Sequence, residues 1–387
     1  AGNTVLGESA LDASVSGGDN TAVGNSALTT LTSGASNVAV GHDALKLNTT
    51  GGFNVAIGST ALDANTTAEA NVAVGNAALT ENTTGHSNVA VGANTLDANT
   101  TANNNTAVGA AALGANTTGT QNVAVGAFAL DANTTANENT AVGYNAASAN
   151  TTGAANTIMG HNSFDANTTG GSNVAIGAQS LSSNTTASNN VSIGAFCMRD
   201  NTTGASNTGV GKGALTHLTT SSNNTAIGTN ALNLATTGSL NSAVGAFALD
   251  AVTTGGENTA MGEGSLSSLT TGTGNSAFGR QALVSATTPS NNTGIGFKAL
   301  QLNTTGERNT ALGMQALAST TTGTNNVAVG VNSLYTATTA SSNTACGDAA
   351  LFANTTGENN TAMGRNALFA NTTGDLNTAV GANALDA

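Results

Sequence analysis

The sequence predicts an all-β fold: a single-stranded β-solenoid (β-helix) of 23 coils with 17 residues per coil. Three observations predict it. The pentapeptide Asn-x-Ala-Val-Gly, or a close variant, opens at Asn3, Asn20, Asn37, Asn54 and Asn71 and recurs every 17 residues to Asn377, without an insertion or deletion. A 17-residue unit is too short for the helix pairs of about 33 residues or more that build helical solenoids. Its apolar positions alternate in short runs rich in β-branched residues, and every unit carries glycine, which suits strands and turns.

The unit reads N-T-A-V-G-x-x-A-L-x-x-N-T-T-G-x-x, numbered here as positions 1 to 17. Position 1 is Asn and position 5 is Gly in all 23 copies. Position 9 is Leu except at Ala147, Phe164 and Met198, and the Thr-Thr pair at positions 13 and 14 fills 20 of the 22 units long enough to hold it. Two short strands are expected per coil, around T-A-V and A-L, with turns at the box glycine and at N-T-T-G. Coils would stack at the ~4.8 Å strand spacing into one continuous domain, residues 1–387, roughly 110 Å long. Strict spacing fits this, because a coil of changed length would break the ladder on both sides.

Each recurring residue has an expected task. Positions 4 and 9 form aliphatic ladders from facing interior walls. The box glycine supplies a positive φ or a close backbone approach. The opening Asn stacks into an amide ladder, each side chain bonding the coils above and below. Ala at position 3 (18 of 23) and position 8 (17 of 23) lines a narrow interior or admits another backbone.

Composition excludes several classes. Charged residues are 7% of the chain, against about 25% in a globular domain. Seven Lys+Arg against 20 Asp+Glu give a net charge of −13 and argue against nucleic-acid binding. No run approaches the ~18 apolar residues of a membrane span, so no membrane insertion is expected. The opening AGNTVLGESA lacks Met and a signal peptide's basic and apolar regions, so a processed protein or a segment of a longer one is expected. Neither end resembles a cap, which suggests head-to-tail stacking into a filament.

The N-x-A-[VI]-G box followed by A-L resembles the head repeats of trimeric autotransporter adhesins of the YadA type, and is similar to repeats of phage tail fibres. The resemblance covers essentially the whole chain. It implies a homotrimer of left-handed solenoids on a cell or virion surface. The unit is longer than the adhesins', and the sequence contains no neck, coiled-coil stalk or anchor.

Candidate sites are few. His42, His86, His161 and His217 fall in well-separated coils, and zinc ligands must converge on one point, so no catalytic or metal site and no cofactor is expected. Cys197 and Cys346 lie nearly nine coils apart, too far for a disulfide, and read as small core substitutes. Asp12, Asp63, Asp97, Asp131, Asp165, Asp250 and Asp386 at position 10 read as a solvated acidic edge. Asn48, Asn65, Asn82, Asn99, Asn116, Asn133, Asn150, Asn167, Asn184, Asn201, Asn303, Asn354 and Asn371 open Asn-Thr-Thr triplets that match the N-glycosylation sequon, or serve turn chemistry. Tyr335, Phe352 and Phe369 occupy position 10 in three successive coils, either as a contact for surface glycans or another partner, or as a stack that stiffens the fold.

The expected function is a non-enzymatic, extracellular structural fibre of a surface appendage that associates with itself and could be adhesive. A glycan- or host-surface-binding module is the alternative. An ice-binding solenoid, with ordered threonine ladders, is the second alternative.

Overall fold

The computed structural model describes residues 2–386, which form strands, turns, bends and irregular connections with no helix. The chain is an all-β solenoid with 17 residues per coil and 23 strands of three residues each. It falls into two compact units, Ala1–Asn190 and Val191–Ala387. The first holds eleven strands, from β1 (Thr4–Leu6) to β11 (Val174–Ile176), and the second holds twelve, from β12 (Val191–Ile193) to β23 (Thr378–Val380).

Within each unit the strands pair in parallel with a register of one repeat. Thr4, Val5 and Leu6 face Thr21, Ala22 and Val23 in the first unit, and Thr361, Ala362 and Met363 face Thr378, Ala379 and Val380 in the second. An insertion of one residue would turn every following side chain to the other face, which accounts for the fixed repeat length.

The expected second strand at A-L is absent; positions 6 to 11 form turns instead. Positions 7 and 9 adopt left-handed backbone, as at Ala77 and Leu79, both at φ 54. An extended strand cannot contain two such residues, and a leucine there carries strain of order 1–3 kcal/mol. The inter-coil hydrogen bonds continue regardless. Between the coils opening at Asn71 and Asn88 they run Val72 N–H to Asn88 O (2.8 Å), Leu79 N–H to Thr95 O (3.0 Å), Glu81 N–H to Asp97 O (3.0 Å) and Thr83 N–H to Thr100 O (2.9 Å). The opposite direction is served by Gly92 N–H to Val74 O at 2.8 Å and Asn94 N–H to Asn76 O at 3.0 Å. The ladder therefore surrounds the coil, and only three residues per turn are extended enough to be strand.

The interior also differs from expectation at position 4. Position 3 faces inward and position 4 faces outward: Ala73 is fully buried, while Ile57 is 40% exposed. The core of each coil is the pair at positions 8 and 9 packed against the position-3 residue. A Cβ built on Gly209 would lie 2.6 Å from Cys197 Sγ and 3.0 Å from Met198 Cε. Where Cys197 and Met198 replace Ala and Leu, the facing position therefore shrinks to glycine. Position 3 is mostly alanine because the leucines of position 9 have filled the space opposite.

The box glycines have the predicted reason for invariance. Gly75 sits at φ 143, a region essentially closed to other residues. A side chain on it would also collide with the Gly92 carbonyl of the next coil.

The opening asparagines form the expected amide ladder. Asn54 donates from its backbone N–H and from Nδ2 to Asn37 Oδ1 at 3.0 and 3.2 Å, and its Nδ2 also reaches across the coil to Ala68 O at 2.9 Å.

Candidate functional site

Tyr335, Phe352 and Phe369 in the second unit do form a continuous stack. Their ring centroids are 5.3 and 5.2 Å apart, with interplanar angles of 5° and 8°. The backbone sets this spacing, since Ser319, Thr336 and Ala353 donate N–H groups to the carbonyls of Tyr335, Phe352 and Phe369. Near-parallel rings spend their faces on one another. A sugar stacks on a ring face, and what this ladder presents along its length is ring edges.

The thirteen sequon asparagines lie elsewhere than a glycan acceptor would. From Asn48 to Asn201, and at Asn303 and Asn354, they are at most 1% exposed, and Asn371 is half-buried. In every one of them Nδ2 donates to the position-15 carbonyl of its own coil. Many also join a second ladder, with Asn65 Nδ2 on Asn48 Oδ1 at 3.0 Å and Asn99 Nδ2 on Asn82 Oδ1 at 2.9 Å. A glycan on such a nitrogen would have to occupy the interior of the folded coil. These residues are core.

The threonine pair divides in two. Position 13 donates its hydroxyl into the ladder, as Thr49 Oγ1 does to Thr66 O at 3.0 Å and Thr83 Oγ1 to Thr100 O at 3.1 Å. Position 14 is exposed, as at Thr50 and Thr84. One column of free hydroxyls remains rather than two.

The surface that sequence reasoning missed is the outer face of the strands, built from positions 2 and 4. None of the 46 residues at these two positions in 23 coils is charged, although the chain carries 27 charged side chains. In the first unit Ile57, Val108, Val125 and Met159 are 37–50% exposed there; in the second Ile227, Met261, Ile295 and Met363 are 39–47% exposed. Position-4 size was the available signal: Val, Ile, Leu, Met, Phe and Cys all occur there, whereas position 3 is alanine in 18 of 23 coils. Cys346, at position 4, is exposed on this face rather than in the core; Cys197 is buried as expected, and both are free thiols.

Titratable groups form scattered pairs. Asp200 accepts from Arg199 Nε at 2.7 Å and faces His217 Nδ1 at 2.8 Å; the Arg199 hydrogen bond, aided by His217, holds its carboxyl below the ordinary value. A shallow recess in the first unit is lined by Glu69, His86 and Ser87. His86 Nδ1 lies 3.4 Å from Ser87 Oγ, beyond the usual hydrogen-bond distance. Among the described residues no three His, Cys, Asp or Glu side chains are grouped to hold a metal ion.

The position-10 aspartates are not a solvated edge throughout. Asp12 and Asp386 are exposed, but Asp63, Asp97, Asp131, Asp165 and Asp250 are half-buried, and burial raises each of the five carboxyls above its ordinary value.

Comparison with known protein families finds no matching family model, and comparison with curated proteins finds no match.

Proposed function

We propose that this protein is a non-enzymatic structural fibre of a surface appendage, assembled from copies that pack side by side through the outer strand face. The observation that carries this reading is the absence of charge from positions 2 and 4 while exposed aliphatic side chains recur along both units. An uncharged face on which exposed apolar side chains recur, here between Thr, Ser and Val of position 2, suits an interaction surface. A second copy suits it particularly well, because two ladders with the same coil rise stay in step over every coil. A three-residue strand about 10 Å long and a ~4.8 Å rise give roughly 50 Å² of flat face per coil. Eleven or twelve coils then give roughly 550–600 Å² per partner, at the low end of the range for specific interfaces. The extracellular placement rests on the likeness of the Asn-x-Ala-Val-Gly box to repeats of surface adhesins and tail fibres. Adhesion as an added task finds less support in the aromatic ladder, four of whose six ring faces are taken by its two stacking contacts.

Analytical ultracentrifugation and negative-stain microscopy of the purified chain test the proposal. Assemblies of two or more copies are expected, and they should dissociate when Ile57, Val108, Ile227 and Ile295 are each replaced by Lys. A monomer that persists at 100-fold range of concentration would overturn it. Thermal hysteresis in solution would instead favour ice binding.

A further inference from the structure

The position-10 slot is built to receive a hydrogen-bond donor. Its walls are the position-7 carbonyls of the same coil and of the coil before. Thr29 Oγ1 donates to Ser26 O at 2.8 Å and to Ser9 O at 3.1 Å. Thr216 Oγ1 repeats this on Gly213 O (2.8 Å) and Phe196 O (3.3 Å), and Asn233 Nδ2 donates to Gly213 O at 2.8 Å. At Gly114, where no side chain is present, a Cβ would sit 3.3 Å from Ala111 O and 3.7 Å from Asn94 O, with Asp97 Oδ1 at 3.5 Å.

Aspartate occupies this slot in five half-buried settings, and a carboxylate has no proton to donate. In three of them, Asp63, Asp131 and Asp250, Oδ1 is buried without a hydrogen-bond partner. An ionised oxygen held among carbonyls, away from water, is unfavourable by both desolvation and repulsion.

We propose that these slots are proton-binding sites, in which each aspartate takes a proton from solvent on Oδ1 and donates it to a position-7 carbonyl, so that acid tightens the coils. Protonation makes the carboxyl a chemical match for the Thr and Asn of the other coils. It also removes negative charge from a chain of net −13, easing self-repulsion between stacked coils.

The surroundings separate the sites. Asp131 and Asp250 are shifted by burial, opposed only by backbone hydrogen bonds. Asp63 also faces Lys46 and His42, which lower its value, and Asp43 and Glu81, which raise it; Asp97 faces Glu81, and Asp165 faces His161. Asp131 and Asp250 are therefore the clean tests.

The sign follows from linkage. A carboxyl whose folded value lies above its unfolded value binds more protons when folded between the two. The stabilisation is fully present below the unfolded value of about 3.9 and is lost as pH rises through the folded value.

The experiment compares the wild type with Asp131→Asn and Asp250→Asn by thermal unfolding at pH 3 and pH 7, in the presence of chelator and then of calcium. Asn supplies a permanent donor and already occupies this slot at Asn233. Each variant should exceed the wild type by about 2–4 °C at pH 7 and match it at pH 3. Carbon-13 carboxyl titration of the wild type, assigned by the peak each variant loses, should place both groups above the ordinary aspartate value. Titration at or below that value would overturn the proposal whatever the variants do. So would wild-type stabilisation at pH 7 by calcium that both variants abolish, since the slot would then hold a metal ion.

Discussion

Asn37 and Asn48 donate from their side-chain amides into one carbonyl oxygen, that of Gly51, each at 2.9 Å. The two residues stand at positions 1 and 12 of the same coil, so two amide ladders meet at the position-15 carbonyl. They are not equivalent. The position-1 oxygen also accepts the backbone N–H of the next coil, as Asn105 Oδ1 accepts from Asn122 N at 2.9 Å. Where the position-12 oxygen accepts a backbone N–H, as Asn167 Oδ1 does from Gly170 at 3.1 Å and Asn303 Oδ1 from Gly306 at 3.0 Å, the bond stays within one coil.

This difference predicts unequal tolerance. Asn105→Leu orphans a buried backbone N–H and part of the Asn122 amide, which should cost about 1–3 kcal/mol. Asn116→Leu removes the donor to Asn99 Oδ1 and one acceptor of Asn133 Nδ2, but it leaves Gly119 O still served by Asn105 at 2.9 Å and orphans no backbone N–H of the next coil, so it should cost less than Asn105→Leu. Urea unfolding orders the two, and hydrogen exchange at the Asn122 amide should accelerate only in the first. Equal losses would show that the backbone acceptor is not what fixes position 1.

The same contrast explains what the sequence made legible. Repeat length, the opening Asn ladder and the glycine turn each leave an invariant residue behind, because each serves a backbone geometry that nothing else fits. The phase of the strand left no such mark: Ala73 and Val74 are both apolar, and only packing decides that the smaller one points inward. Nor did the left-handed Leu79, since leucine has no preference for that conformation and adopts it to close the coil. The sequon asparagines read as surface turns because composition does not separate a buried amide from an exposed one. The available clue was substitution at the same position by Leu31, Leu218, Val252 and Leu269, all fully buried.

Thr320 occupies this position-12 slot with its Oγ1 buried and unpartnered. Val252 shows that an isosteric aliphatic residue fits the slot in another coil of the same unit. Thr320→Val should therefore stabilise the second unit by about 1 kcal/mol, by removing a desolvated hydroxyl that gains no bond. A higher urea midpoint with unchanged slope is the expected reading, and a lower midpoint would mean the hydroxyl has a partner after all.

The two thiols should differ sharply in reactivity. Burial pushes Cys197 up to about 11, while Cys346 is exposed on the strand face. The thiolate is the reacting species, so at pH 8 an aromatic disulfide reagent should label one thiol per folded chain and two after unfolding. Cys346→Ser should abolish the folded-state reaction. If side-by-side packing covers the strand face, the rate at Cys346 should also fall as protein concentration rises.

The box glycine supplies the most severe substitution. Gly160 sits at φ 144, and an added Cβ would collide with the Gly177 carbonyl oxygen and lie 2.6 Å from its carbon. Neighbouring glycines stacked at every coil leave no slack for the backbone to shift, so Gly160→Ala should cost about 3 kcal/mol or more. Gly114→Ala is the control in the same unit: position 10 carries a side chain in the other coils, and its Cβ meets nothing closer than 3.3 Å. Loss of unfolded-state freedom should leave that variant neutral or about 0.4–1 kcal/mol more stable. Because each coil bonds only to its neighbours, Gly160→Ala should act locally, with hydrogen exchange rising at Gly160 and Gly177 while the amides near Val38 keep their protection. Uniform loss of protection across the first unit would show that its coils unfold as one cooperative body, and would require the repeat energetics to be treated together rather than coil by coil.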